Sequence, residues 1–129
     1  MNFLSHINNK SNIEIIDEVE NKIRIKELKE IINFNSFIMN QLNIKSSDTV
    51  AIVLENGPKF ITSFLSVINV CISAPLNPSY SLGEFSFYYK DLKPKALVTD
   101  LNETHPAIII AKKINIKILA LEKFFFKTE

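Results

Sequence analysis

From Thr49 onward the sequence alternates short, wholly apolar runs with segments of helical periodicity, and that alternation limits the possible folds most sharply. The run Val50-Ala51-Ile52-Val53-Leu54 has no polar residue on either face, as a strand buried on both sides requires. Asn56-Gly57-Pro58 breaks it, and Pro58 suits the first turn of a helix, where an N–H would lack a partner anyway. Phe60, Ile61, Phe64, Leu65, Ile68 and Cys71 then cover a wide helical face. Residues 72–76 predict a second strand, ended by Pro75-Leu76-Asn77-Pro78, where each proline fixes its own φ and extends the residue before it. Ser81 with Glu84 three positions on predicts a helix start, continuing through Phe85, Tyr88 and Tyr89 to about residue 92. Residues 96–99 predict a strand, 106–114 a helix and 116–121 a strand. Such an order argues for an α/β fold of parallel β-α-β units with right-handed crossovers.

Upstream the period differs. Two short runs, 12–16 and 22–25, flank Asp17-Glu18-Val19-Glu20-Asn21 and predict a β-hairpin. Residues 26–42 predict a helix, with Leu28, Ile31, Ile32, Ile38, Met39 and Leu42 at helical spacing. Asn43 follows where a helix often ends in a left-handed residue. The chain thus divides into a flexible start (1–11), a hairpin (12–25), an α/β scaffold (26–121) and an end at 122–129 that looks cut short. Phe124-Phe125-Phe126 lies close to that end, and three such residues are expected to continue into further buried structure rather than pack back on this domain's own helices.

Composition removes several function classes. Gly occurs only at Gly57 and Gly83, too far apart for a P-loop or a dinucleotide-binding turn, which need several glycines within a few residues. One cysteine and two histidines, Cys71 with His6 and His105, leave no intrachain disulfide and no Cys/His zinc site. A net charge of +1 with scattered lysines argues against a nucleic-acid partner. The most apolar stretch, 60–76, is broken by Thr62, Ser63, Ser66, Asn69, Ser73 and Pro75, and falls short of the ~20 apolar residues of a membrane span. Residues 1–11 lack the basic patch and apolar block of a signal peptide.

Residues 26–100 resemble the N-terminal region of AMP-forming acyl-CoA synthetases, members of the adenylate-forming ligase superfamily. The resemblance rests on Asp48-Thr49-Val50-Ala51-Ile52, similar to the family's turn and strand, and on Asn56-Gly57-Pro58-Lys59-Phe60, which matches its Asn-x-x-x-Phe helix opening. Pro75-Leu76-Asn77-Pro78-Ser79-Tyr80-Ser81, Glu84-Phe85-Ser86-Phe87-Tyr88 and Lys93-Pro94-Lys95-Ala96-Leu97-Val98-Thr99 are similar to the oxalate–CoA ligase and peroxisomal-type branch. The resemblance implies that 1–129 is a partial N-terminal AMP-binding domain. It also implies, for the full-length family, ATP, Mg2+ and CoA as cofactors, an acyl-adenylate followed by an acyl-CoA, and a cytoplasmic or peroxisomal location. The phosphate loop, the carboxylates and the catalytic lysine lie beyond the matched region. None is carried over: no catalytic, cofactor-binding or metal residue is expected within 1–129. The implied partner is the remainder of the ligase domain, and the chain alone is expected to be inactive. The alternatives are a free-standing α/β interaction or binding module and a receiver-like signalling domain.

Three departures from the family pattern carry expectations. Asn43 and Ser47 stand where glycine is usual, and Ser47 is expected to sit uneasily there. Asn69-Val70-Cys71 replaces a Lys-Ala-Gly end to the second helix, with one residue fewer before Pro75, and is expected to strain that connection. Among single residues, Asp48 and Asp100 read as turn or capping groups rather than phosphoacceptors, and His105 as a solvated helix-start residue rather than an anion ligand. Cys71 reads as an inert thiol among apolar neighbours. Tyr80, Phe85, Phe87, Tyr88 and Tyr89, without basic interleaving, read as helix-face packing rather than a base-stacking platform.

Overall fold

The computed structural model describes residues 14–16 and 22–128. The expected flexible start, 1–11, lies outside them. The hairpin is present: β1 (Glu14–Ile16) pairs antiparallel with β2 (Lys22–Arg24). Helix α1 (Ile25–Gln41) follows, then β3 (Thr49–Val53), α2 (Pro58–Ile68), β4 (Ile72–Pro75), α3 (Leu82–Leu92), β5 (Ala96–Thr99), α4 (Pro106–Lys113), β6 (Lys117–Glu122) and β7 (Phe125–Thr128). Five strands form one sheet in the order β4-β3-β5-β6-β7. Its first four strands are parallel, and β7 returns antiparallel to β6.

The apolar strands follow from two-sided burial. Val50, Ile52, Ala96, Val98 and Leu119 face Met39 of α1 and Val67 of α2. Ala51, Val53, Leu97 and Ile118 face Phe85 and Tyr89 of α3 and Ala107, Ile108 and Ala111 of α4. Successive residues of β3 therefore serve opposite layers, and each buried Val or Ile contributes ~1.5–3 kcal/mol. Polar substitution at any of residues 50–53 would leave an orphaned group in one layer or the other.

The helix ends are set by identifiable devices. Asn43 (φ 58°) ends α1 in the left-handed region, with Asn43 N–H donating to the Asn40 carbonyl and Ile44 N–H to the Met39 carbonyl. Ile44 and Met39 then share one apolar cluster, which completes a Schellman motif. Asn115 (φ 62°) repeats the arrangement after α4, with Ile116 N–H donating to the Ala111 carbonyl. Helix α3 begins with the expected capping box: Ser81 Oγ accepts from Glu84 N–H, and the Glu84 carboxylate accepts from Ser81 N–H.

Three expectations are corrected. Ser47 is absent from the left-handed positions, so serine carries no strain there. Asn69 is right-handed (φ −69°), and Val70 and Cys71 N–H both donate to the Val67 carbonyl, so α2 ends in an ordinary tight turn without needing glycine. The three phenylalanines do pack back on this domain. Phe126 lies in the core beneath α1 and α2, while Phe124 and Phe125 lie against Leu28, Ile31 and Ile32. Asn35 draws them in: fully buried on α1, it donates through Nδ2 to Ser66 Oγ (3.0 Å) and to the Phe124 carbonyl (3.1 Å), and its Oδ1 accepts from Phe126 N–H (2.7 Å).

Candidate functional site

Open parallel sheets bind ligands beyond the carboxyl ends of adjacent strands whose connections leave on opposite faces. Here that place lies between β3 and β5, because α2 packs on the α1 face and α4 on the other. A cavity of about 220 Å³ occupies it, lined by residues 54–59, Asp100 and Phe124. Gly57 (φ 144°, ψ −170°) joins β3 to α2 in a conformation open essentially to glycine alone, and a Cβ there would meet no atom within 4 Å. Lys59 Nζ and Asp100 Oδ2 pair across the mouth at 3.2 Å, both partly exposed. Thr99, buried at the end of β5, accepts from Leu101 N–H through Oγ1 and so turns the chain away from the strand.

The family profile described as AMP-binding enzyme matches residues 7–124. The chain belongs to that family. Oxalate–CoA ligase of Saccharomyces cerevisiae is 36% identical over 90 residues, 64% of this chain and 17% of that protein. Oxalate–CoA ligase of Arabidopsis thaliana is 37% identical over 82 residues, 63% of this chain and 16% of that protein. These relatives agree with the branch that residues 75–88 resemble. The chain spans about one sixth of the length of these curated relatives. Coronafacic acid ligase from Pectobacterium brasiliense superposes with a TM-score of 0.80 at 18% identity, over 95% of this chain and 26% of that one. ATP-bound MatB from Rhodopseudomonas palustris gives 0.74 at 21% identity, over 91% of this chain and 24% of that one. At such identities the likeness establishes the fold, the α/β architecture of the N-terminal domain of adenylate-forming ligases.

Within that family frame, the residues weighed from the sequence are scattered. Asp48 lies at the amino end of β3, far from the crevice in the strand direction. Its Oδ2 accepts from Lys45 N–H at 2.7 Å, which holds the carboxyl below its ordinary value, with Lys95 Nζ at 3.4 Å adding to the effect. That is the expected turn role. Asp100 lies at the opposite, carboxyl, end and takes part in the crevice through Lys59. His105 is half-buried rather than solvated: Nδ1 accepts from Ala107 N–H at the start of α4, and Nε2 lies 3.0 Å from the Pro78 carbonyl. Both ring nitrogens are thus committed to backbone.

Cys71 packs against the α1–α2 core, and burial pushes its thiol up to about 11, with Asp48 adding to the effect. The thiol is inert at neutral pH. Phe85 and Tyr89 are core residues, and the Tyr89 hydroxyl donates to the Ala107 carbonyl at 2.9 Å while burial raises its pKa. Tyr80 and Tyr88 stack on one another at 4.9 Å, and Phe87, although 65% exposed, meets the Tyr88 ring edge-on at 5.3 Å. Among the described residues, no three His, Cys, Asp or Glu side chains converge on a metal site. No described helix is long and apolar enough to cross a membrane. Sequence reasoning missed Lys59 and Phe124 as crevice residues, since their meeting depends on strand order and on the return of β7.

Proposed function

We propose that this chain is the N-terminal scaffold of an ATP-dependent carboxylate–CoA ligase, acting in the cytoplasm or a peroxisome and inactive without the remainder of that ligase. Adenylation needs donors arranged around a triphosphate and carboxylates to hold Mg2+. The two glycines, Gly57 and Gly83, stand 26 positions apart, so neither can build a phosphate-cradling loop with the other. ATP, Mg2+ and CoA would therefore be held by the remainder, and 1–129 would contribute no catalytic, cofactor-binding or metal residue. Its part is to supply a rigid doubly covered sheet on which the rest of the ligase domain packs.

The observation that carries this proposal is the family match over residues 7–124, set beside relatives of which the matched stretch covers only 17%. The test is ATP–pyrophosphate exchange by the purified chain with oxalate and a panel of other carboxylates. No exchange above a no-protein control is expected, and exchange with any acid would overturn the proposal.

One feature favours a second reading, a free-standing α/β interaction module. Phe126 fills the core from within, and Asn35 fastens β7 against α1, so residues 124–126 find their packing partners within this layer. Expression beside the remainder of an oxalate–CoA ligase separates the two. Recovery of exchange by the pair supports the scaffold, whereas two proteins that never associate support the module.

A further inference from the structure

The crevice at the ends of β3 and β5 continues past Phe124. A second cavity, of about 400 Å³, adjoins the first, and Lys59 and Phe124 line both. Together they form a groove with an apolar floor, made by Leu54 and Pro58 before Phe124 and by Ile31 and Phe125 beyond it. Its rim is unequally charged. Glu55 and Asp100 stand over the first part, Glu27 and Glu30 over the second, and only Lys59 and Lys123 oppose them.

Asp100 is neutralised by Lys59, but Glu27, Glu30 and Glu55 form no ion pair among the described residues. Lys123 Nζ stands 6.0 Å from the centroid of Phe124, so the aromatic floor already accepts a cation on its face. The whole chain carries a formal charge of +1, so the negative excess belongs to the groove and not to the composition.

We propose that this groove docks a basic amphipathic segment of a second polypeptide, with arginine or lysine alternating with aliphatic residues. The aliphatic side chains would displace water from the half-buried Phe124 and Phe125, and the cationic groups would meet the three carboxylates that form no ion pair among the described residues. Charge selects the occupant: an acidic segment would place like charges over Glu27, Glu30 and Glu55. Extent selects it as well. A small cation would fill one cavity and leave the apolar floor of the other wet, whereas an extended segment covers both. The proposal goes beyond the ligase scaffold and does not depend on it.

The isotope-labelled full chain, titrated with acetyl-Leu-Arg-Leu-Arg-Leu-amide and separately with acetyl-Leu-Glu-Leu-Glu-Leu-amide, tests it. The arginine peptide is expected to shift amide resonances of residues 27–31, 54–59 and 123–126, and the glutamate peptide to leave them in place. Raising salt from about 0.05 M to about 0.3 M should weaken binding, because exposed charges are screened over the shorter Debye length. Glu27, Glu30 and Glu55 are all exposed, so Glu27→Gln, Glu30→Gln and Glu55→Gln combined should leave the thermal melt unchanged. That triple variant should bind about tenfold more weakly, at roughly two- to threefold per surface pair.

Equal binding of both peptides would overturn the proposal, as would shifts elsewhere or none at millimolar peptide. So would n-butylguanidinium binding as tightly as the peptide, or self-association of the chain through the same residues.

Discussion

Replacing Asn35 with leucine keeps a side chain branched at Cγ and favours the helical conformation of α1, while deleting three hydrogen bonds from a fully buried position. Ser66 is little affected, because its Oγ still donates to the Thr62 carbonyl at 2.7 Å. Phe126 N–H and the Phe124 carbonyl are the groups that suffer, since among the described residues Asn35 is their only partner outside the β6–β7 pairing. A buried polar group left unpaired costs about 1–3 kcal/mol, and the Phe124 carbonyl is only part-buried, so Asn35→Leu should cost about 2–4 kcal/mol. A domain of this size has a stability on the order of 5–15 kcal/mol, so the loss is a large fraction of the whole. With a urea m-value of about 2 kcal/mol/M, the midpoint should fall by roughly 1–2 M. Equilibrium urea unfolding followed by circular dichroism reads this directly. Amide exchange at Phe126 should also accelerate out of proportion to the rest of the sheet. A midpoint shift below about 0.3 M would mean that the backbone groups of β7 find other partners, and that Asn35 does not fasten the strand.

Four further outcomes follow from named contacts. Cys71→Gly should lower the thermal midpoint, through about 0.5–1 kcal/mol of glycine backbone entropy plus lost packing, because no residue from 69 to 71 is left-handed; a rise would reveal strain at the end of α2. Alkylation of Cys71 by iodoacetamide should be slow at pH 8 and climb about tenfold per pH unit towards pH 10, since its pKa is raised to about 11; a plateau near pH 9 would refute the burial effect. The Asp48 carboxyl is lowered when folded, so its stabilising effect is complete above the unfolded value of 3.8 and vanishes as pH falls through the lower folded value; Asp48→Asn should flatten that part of the acid limb in thermal melts, and an unchanged limb would contradict it. Ser63 is fully buried on α2 with no partner for its hydroxyl among the described residues, so Ser63→Ala should raise stability by about 1 kcal/mol in the same urea assay; a loss would show the hydroxyl to be satisfied.

Local chemistry was legible in the sequence to within a residue or two. The all-apolar run 50–54, Pro58 after Gly57, the Ser81–Glu84 box and Asn43 each act through groups a few positions away, and each forms the element its residue types specify. Long-range effects were not legible. The Phe run was expected to seek partners outside the domain because the group that draws it inward, Asn35, lies 91 positions before Phe126 and looks like an ordinary helix-surface amide. Lys93 and Lys123 adopt left-handed geometry without any residue-type signal. The crevice escaped notice for the same reason. Helical and strand periods reveal which residues are buried, but the order β4-β3-β5-β6-β7 decides which loops become neighbours. The strain expected at Ser47 and Cys71 came from comparing residue types position by position, and the backbone there simply takes a different turn.

The link between Asn35 and β7 also has a temporal side. A ribosome delivers Asn35 91 residues before Phe126, so while the stretch between them emerges the Asn35 amide has no mate for its oxygen. Water must occupy that place, which keeps α1 from settling on the growing sheet even after β3, β4 and β5 have emerged. Final compaction of this layer therefore waits on the arrival of residues 124–126, and a nascent chain halted just before them would carry a loosened first helix.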